Sequence, residues 1–162
     1  MHYHVSNLGP ERVRQAFSLV QAVNPQLSLD AWRRYVRPRV ERRGAAAGAP
    51  RQGILCLENR QGCILALFAF RVEADLHLGR LLHCDYLAAV DLLNPRQALG
   101  ALILGFRRCA QSAGCRAIRV VAPRALGALS ASLVDSGYDV DWIGHGLELE
   151  DAAAERVGVR QA

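Results

Sequence analysis

The residues of this chain best suited to proton transfer are His83 and Asp85, two positions apart in an apolar segment. Side chains at i and i+2 of a β-strand point to the same face of a sheet, so we expect the two groups side by side. Histidine titrates near neutral pH and burial raises the pKa of a carboxyl group, so either residue type can act as a general base. The alternative is a polar patch where the sheet meets solvent.

A second chemical feature is the helix start predicted at Asn94 and Pro95. Asparagine is a preferred N-cap residue, and proline is favoured at the first helical position. A helix N-terminus presents free N–H donors and the positive end of the helix dipole, so this segment suits an anion such as phosphate. Arg96 would offset phosphate charge, whereas Pro95 removes one N–H donor.

Hydrophobic periodicity and turn signals predict the elements that position these residues. In chain order they are a strand over 2–8, a helix over 11–23, a helix from 29 that kinks or ends at Pro38, strands over 53–57, 63–72 and 76–92, a helix over 95–113, a strand over 117–121, a helix over 126–134, and strands at 137–138 and 142–149. The order predicts an α+β fold, and the helix between strands 81–92 and 117–121 implies a parallel, right-handed crossover.

The size and composition predict one globular domain. The chain has 162 residues, of which 51% are hydrophobic and 22% charged, which excludes wholesale disorder. We expect a single domain over 1–150 and a frayed tail over 151–162, with the low-complexity stretch 44–50 as a loop inside the domain. No apolar run approaches the roughly 18 residues of a membrane span, and the N-terminus lacks a signal-peptide pattern, so we predict a cytoplasmic protein.

All basic residues are arginines, which is typical of a GC-rich genome, and we expect a bacterial protein. A solvated helix face explains the arginines at 33–43 better than a polyanion-binding surface does, and no nucleic-acid motif is present. The five cysteines form no C-x-x-C pair, so buried free thiols are favoured, with a Cys56–Cys63 contact across a hairpin as the alternative. His2 and His4 share a strand face without a partner, so no metal site is predicted.

The strand–helix–strand segment 87–121 resembles the acyl-CoA crossover of the GNAT superfamily of N-acetyltransferases, and the element order over 2–149 resembles the GNAT fold. The resemblance implies a mixed sheet of six to seven strands in a three-layer α/β/α sandwich, with the central strand pair splayed apart. An acyl-CoA, acetyl-CoA or another, would lie in that notch as co-substrate. The residues implied to hold it are Leu87, Ala88, Ala89, Asn94, Arg96, Gln97, Ala98, Leu99 and Gly100.

The family's pyrophosphate motif, Q/R-x-x-G-x-G/A, fits the start of this helix in two registers. A literal match begins at Gln97 and keeps the first glycine, Gly100. The other register aligns the apolar triplet 101–103 and the turn at Gly114 with the family, and it puts Gln97 and Leu99 where the family has glycines. We prefer this second register because core-facing apolar positions fix a helix more firmly than a single glycine does.

The function implied by the resemblance is N-acyl transfer to an unidentified amine, either a small molecule or a peptide, with His83 or Asp85 removing the proton. The family's usual general acid is a tyrosine, and here Leu133 occupies that position while Tyr138 takes an aromatic core position. The alternative is a GNAT-fold protein without transfer activity that serves as a binding, regulatory or oligomerising module, for example as a homodimer. Neither hypothesis requires a metal, and neither nucleic acid nor membrane is an expected partner.

Overall fold

A computed structural model describes residues 3–41, 51–89, 95–121 and 127–138. These residues contain one five-stranded mixed sheet, in which spatial order follows chain order. The first four strands are antiparallel neighbours, whereas β4 and β5 run parallel. The strands are β1 (His4–Asn7), β2 (Gln52–Glu58), β3 (Ile64–Asp75), β4 (Gly79–Ala89) and β5 (Ala117–Val120).

Four α-helices accompany the sheet within the same residues. They are α1 (Val13–Val23), which follows a 3-10 turn at Pro10–Arg12, α2 (Leu29–Val40), α3 (Pro95–Ser112) and α4 (Gly127–Asp135). The α+β class and this order of helices and strands are confirmed. Five of the six to seven predicted strands are described, and the predicted strand at 142–149 and the tail at 151–162 lie outside the described residues.

Alternating side chains of β2 divide the apolar residues into two cores. Leu55 and Leu57 face the core beneath α3, whereas Ile54 and Cys56 face the core beneath α1 and α2. Each such fully buried aliphatic side chain stabilises the fold by about 1.5–3 kcal/mol. Helices therefore cover both faces of the sheet, and the three-layer arrangement follows from period-two patterning in the strands.

Helix α2 begins as its sequence predicts and ends later. The Ser28 side chain accepts a hydrogen bond from the Ala31 N–H at 3.2 Å, which caps the first turn. Helix α2 continues to Val40, so the early end predicted at Pro38 is wrong. Pro38 lies in the last turn, where it removes one helical hydrogen bond without interrupting a longer helix.

The β3–β4 connection corrects two predicted boundaries. Strand β3 continues to Asp75. The carboxylate of Asp75 accepts hydrogen bonds from the backbone N–H groups of His77 and Leu78. Leu76 is fully exposed in this turn, so β4 begins at Gly79, where φ is +74°, rather than at Leu76. An Asp side chain that bonds the backbone two and three residues onward competes with strand pairing and favours a turn.

Glycine caps end both helices on the α3 side. After α3, Gly114 has φ +65°, and the N–H of Cys115 donates to the Ala110 carbonyl at 2.9 Å, as in a Schellman motif. Gly137 has φ +83° and the Tyr138 N–H donates to the Leu133 carbonyl at 3.0 Å, so residues 137–138 end α4. The strand predicted at 137–138 is therefore wrong, since the left-handed glycine conformation suits a cap and not a strand.

The cysteines are free thiols. Cys56 pairs in register with Leu67 and is buried, whereas Cys63 is exposed in the β2–β3 turn. The alternative of a Cys56–Cys63 contact is therefore wrong. Cys84 is also buried, and Cys109 and Cys115 are half-buried.

Candidate functional site

Six polar side chains form one connected network on the face of β3 and β4 that is turned towards α2. Its members carry hydrogen-bonding or charged groups and are joined by contacts of 3.5 Å or less. Two arginines and two carboxylates balance each other in charge. The network consists of Tyr35 and Arg39 from α2, Arg71 and Glu73 from β3, and His83 and Asp85 from β4.

His83 and Glu73 form the proton-transfer end of this network. His83 Nδ1 lies 2.8 Å from Glu73 Oε1, and the imidazole is 15% exposed. The hydrogen bond with His83 lowers the pKa of Glu73 against the opposing effect of burial, and the hydrogen bond from Arg71 lowers that pKa further. Because Glu73 is ionised at neutral pH, it accepts a hydrogen bond from Nδ1 of His83, and Nε2 is the ring nitrogen that this contact leaves outside.

Asp85 occupies a β-bulge. Cys84 pairs with Phe70 and Tyr86 pairs with Ala69, so Asp85 has no opposite residue on β3. The extra residue is why Cys84 and Leu87, three positions apart, both face the α3-side core. Bulges re-aim side chains and are over-represented next to active sites.

Three donors surround the Asp85 carboxylate. The Tyr35 hydroxyl donates at 3.2 Å, Arg39 Nη2 at 3.0 Å and Arg71 Nη1 at 3.5 Å. Burial raises the pKa of Tyr35, so its hydroxyl remains a donor. His83 and Asp85 do share a face and one network, yet they do not touch each other in the described contacts. Asp85 is thus held as an ion-pair partner, while Nε2 of His83 has no partner among the residues that the structure describes.

A neighbouring ion pair borders the site at β5. Arg119 stands beside His83 in the parallel β4–β5 register, and its Nη2 lies 3.0 Å from Asp75 Oδ2. Hydrogen bonds from the Leu78 and His77 N–H groups and from Arg119 lower the pKa of Asp75 to about 2. Glu73 and Asp75 share the strand face that their spacing predicts, since β3 runs without a break to residue 75.

The described pairing between β4 and β5 ends at the residue after His83. Their pairing covers Leu81–Cys84 of β4, and the last bond between them runs from the Val121 N–H to the Cys84 carbonyl at 3.2 Å. Residues 85–89 continue beside β3, and no described strand pairs with their other edge. The side chains of Leu87 and Ala88 are buried in opposite cores, so this part of β4 offers backbone groups to a ligand.

The start of α3 leaves room for a ligand near Gly100. A Cβ atom added at Gly100 would have no neighbour within 4 Å, so packing does not require glycine there. Gln97 is exposed and Ala98 is buried, whereas Asn94 and the side chains of Arg96 and Leu99 lie outside the described residues. Leu102 and Ile103 are buried in the α3-side core, as the preferred register requires.

Leu133, at the position where the resemblance would place the general acid, is part of the hydrophobic core. Leu133 is 7% exposed and packs in the α3-side core, where an aliphatic group neither donates nor accepts a proton. Tyr138 packs against the same core, with the Arg107 guanidinium 6.0 Å from its ring centre.

Other histidines do not extend the site. His4 is exposed on β1 and His77 is exposed in the β3–β4 turn, while His2 and His145 lie outside the described residues. In the described part of the chain, no three His, Cys, Asp or Glu side chains are grouped to hold a metal ion. Nor does any helix there have the length and apolarity to span a membrane.

The sequence did not predict three members of the network, which are Tyr35, Arg39 and Arg71. Arg71 shows period-two spacing with Glu73, a signal that was available in the sequence. Tyr35 and Arg39 are four residues apart and therefore share a helix face, but the choice of strand beneath them is a tertiary feature.

Solved structures resemble the chain over nearly its whole length. Ribosomal-protein-alanine N-acetyltransferase from Brucella melitensis biovar Abortus 2308 has a TM-score of 0.71 at 12% identity, covering 92% of this chain and 100% of that one. The aminoglycoside N-acetyltransferase AAC(6')-Iy, in complex with the bisubstrate analogue CoA-S-monomethyl-acetylneamine, gives 0.73 at 10% identity, with 93% and 100% covered. A transcriptional regulator from Bacillus halodurans C-125 gives 0.72 at 9%, with 91% and 100% covered.

Neither protein-family models nor curated protein sequences match the chain. The structural similarities, the sheet order and the β4–α3–β5 crossover show that the chain has the fold of the GNAT superfamily of N-acetyltransferases. The predicted GNAT fold is therefore confirmed.

Proposed function

We propose that the protein is an acyl-CoA-dependent N-acyltransferase in which His83 is the general base. The observation that carries this proposal is the His83–Glu73 pair, located one residue before the end of the described β4–β5 pairing. A carboxylate-oriented imidazole with a free nitrogen is suited to take a proton from an amine. Beyond that point no described strand pairs with the outer edge of β4, which supports the placement of an extended ligand there.

The proposed step balances as follows. The amine nitrogen attacks the thioester carbonyl carbon, a C–N bond forms, and the C–S bond breaks. The proton released by the amine passes to His83 Nε2, and the positive charge on the imidazole is stabilised by ionised Glu73. The thiolate takes a proton from water, because Leu133 has none to donate, and the hydroxide so formed takes the proton from His83 Nε2, which restores the base and the water. The products are an amide and free CoA.

Between the two base candidates, the contacts favour His83. The Asp85 carboxylate accepts from Tyr35 and lies in ion pairs with Arg39 and Arg71, so its lone pairs are already engaged. A proton from the amine could reach Asp85 only if one of these donors were displaced, which would cost a hydrogen bond. Asp85 serves this proposal as the anchor of the network.

The acyl-CoA would lie between the last residues of β4, which follow Cys84, and the start of α3. The backbone of Leu87–Ala89 would pair with the pantetheine amides, and residues 94–100 would receive the pyrophosphate at the helix N-terminus. The space at Gly100 supports this placement, since, beyond its own helix neighbours, no described atom lies within 4 Å of a Cβ atom added there. Arg96 would supply positive charge next to the phosphates.

The first test is thermal unfolding with and without millimolar acetyl-CoA. Ligand at 100 times its dissociation constant stabilises the folded state by about 2.7 kcal/mol, so we expect a clear rise in Tm. Release of CoA thiol is then measured with neamine and with a peptide that begins with alanine, two amines suggested by the names of the structural neighbours. If no acyl-CoA raises Tm, the proposal fails.

The second test separates binding from chemistry. We expect His83→Asn to lower turnover by about 10²–10⁴-fold, the usual contribution of a general base, while the Tm increase with acetyl-CoA is kept. His77→Asn is the matched control, because His77 is an exposed histidine in the β3–β4 turn. Full activity of the His83 variant would remove this residue from the mechanism.

The second candidate function is a GNAT-fold binding or regulatory module without transfer chemistry. It is favoured by Leu133, which packs in the core where the family has a general acid, and by the similarity to a protein described as a transcriptional regulator. This hypothesis predicts a Tm increase with acetyl-CoA or another acyl-CoA but no CoA release with any amine. The enzyme hypothesis predicts both.

A further inference from the structure

Arg71 connects the two carboxylates of the network. Its Nε donates to Glu73 Oε2 at 2.9 Å, and its Nη1 lies 3.5 Å from Asp85 Oδ2. Glu73 and Asp85 are on different strands, and among the described side chains Arg71 is the one that contacts both. The planar guanidinium holds its N–H donors in a fixed fork, so the position of one carboxylate constrains the other.

The Asp85 end of this connection is rigid. Its side chain is 16% exposed, that of Arg39 is 12% exposed, and the two are joined at 3.0 Å. Arg39 also stacks 3.8 Å above the Tyr35 ring and donates to the Tyr35 carbonyl at 2.9 Å. These contacts restrict Arg39 to one arrangement on α2, and α2 is itself held to α1 by a hydrogen bond from Trp32 to the Val13 carbonyl at 2.9 Å.

The Glu73 side chain would be less restrained if Arg71 were absent. Glu73 is 31% exposed, and glutamate loses substantial rotamer freedom when its side chain is fixed. In the described contacts its carboxylate has two side-chain partners, His83 on one oxygen and Arg71 on the other. When Arg71 holds one oxygen of the Glu73 carboxylate, the other oxygen sets the direction of the His83 imidazole. Without Arg71, the carboxylate and the imidazole would be free to turn together.

We propose that Arg71 is a positioning residue that transmits the fixed location of Asp85 and α2 to Glu73, and through Glu73 to the imidazole of His83. The catalytic consequence rests on the proposed function, whereas the positioning itself is a property of the folded chain. Misplacement of a catalytic group by about 1 Å costs up to about 100-fold in rate, so a positioning residue need not touch the substrate.

The positioning is tested by NMR of the full-length protein in the absence of ligand. An Nδ1 proton held by Glu73 gives a low-field imidazole resonance, which is assigned by its disappearance in His83→Asn. We expect the resonance to be lost in Arg71→Gln and weakened in Arg71→Lys, because lysine offers one point charge instead of a fork. It should persist in Arg12→Gln, a control that removes the half-buried Arg12–Glu58 pair at 2.6 Å, away from this network.

The catalytic arm uses CoA release from acetyl-CoA with whichever of neamine and the alanine peptide the protein accepts. We expect Arg71→Gln to lower kcat by about 10- to 100-fold and to leave the KM for acetyl-CoA unchanged, with Arg12→Gln near the wild-type values. If no acyl-CoA raises Tm, the proposed function is refuted, and the NMR result still decides the positioning.

Three outcomes overturn the role of Arg71. They are an Arg71→Gln protein that keeps the low-field resonance, an Arg12→Gln protein that also loses it, and full restoration of resonance and kcat by lysine. If Arg71→Gln does not fold, Arg71→Lys carries the comparison, since it keeps the positive charge between the two carboxylates.

Discussion

At the scale of single residues, the neighbours of a side chain decide what chemistry its type makes available. Asp85 and His83 are equally plausible bases in the sequence, because both residue types accept protons. In the structure, Asp85 is surrounded by a hydroxyl and two guanidinium groups, whereas His83 has one carboxylate on Nδ1. These surroundings come from α2 and β3, so no local sequence pattern distinguishes the two roles.

A carboxylate outside the proposed chemistry makes the stability pH-dependent. The pKa of Asp75 is lowered to about 2, below the ordinary value of about 3.9, so the ionised form stabilises the fold above about pH 4. That contribution is lost as the pH falls towards 2. We therefore expect Asp75→Asn to be less stable than wild type at neutral pH, with a difference that vanishes in acid.

Urea unfolding between pH 7 and pH 2 measures this difference. Asp30→Asn is the control, because Asp30 is 85% exposed and its 3.5 Å pair with Arg33 is a surface contact worth about 1 kcal/mol or less. A stability difference between Asp75→Asn and wild type that is the same at every pH would show that Asp75 acts through packing and not through its charge.

At the scale of elements, local signals predict helix ends well and strand irregularities poorly. The Ser28 cap and the Gly114 turn are readable because the residues that form them are neighbours in the chain. The bulge at Asp85 depends on the register between β4 and β3. Helix α2 ends two residues after Pro38, and the local sequence around the proline did not predict that end. Such features require knowledge of distant partners, which periodicity does not contain.

Two glycines of α3 and its C-terminal turn should respond in opposite ways to alanine. Gly114 has φ +65°, a conformation that strains alanine, so we expect Gly114→Ala to destabilise the protein by about 1–2 kcal/mol. Gly100 lies within the helix with open space around a built Cβ, so Gly100→Ala should stabilise by about 0.5–1 kcal/mol.

Urea unfolding compares the two variants with wild type. If the pyrophosphate of acyl-CoA lies over this turn of α3, the added methyl group of Gly100→Ala should also reduce the Tm increase caused by acetyl-CoA. An unchanged increase would place the phosphates elsewhere on the protein.

At the scale of the whole molecule, the two cores are opposite faces of the same strands. The family resemblance predicts the three layers, and in the structure alternate side chains of β2 and β3 face opposite cores. Two short turns join β2, β3 and β4, whereas β1 is joined to β2 through α1 and α2, and β4 to β5 through α3. The polar network was only partly predictable, since it joins α2 to β3 and β4 across more than 40 residues of sequence.

Because β2, β3 and β4 contribute to both cores, the protein should unfold in one cooperative transition. Ile103→Val changes only the α3-side core and should cost about 0.5–1.5 kcal/mol. Trp32 is fully buried in the opposite core, and in a Trp142→Phe background it is the single fluorescent tryptophan. We expect Ile103→Val to lower two urea midpoints equally, the one followed by Trp32 fluorescence and the one followed by far-UV circular dichroism. Equal midpoints from two probes are the test of a single cooperative transition. If the fluorescence midpoint stays at the wild-type value while the circular dichroism midpoint falls, the two cores unfold separately and the shared strands do not couple them.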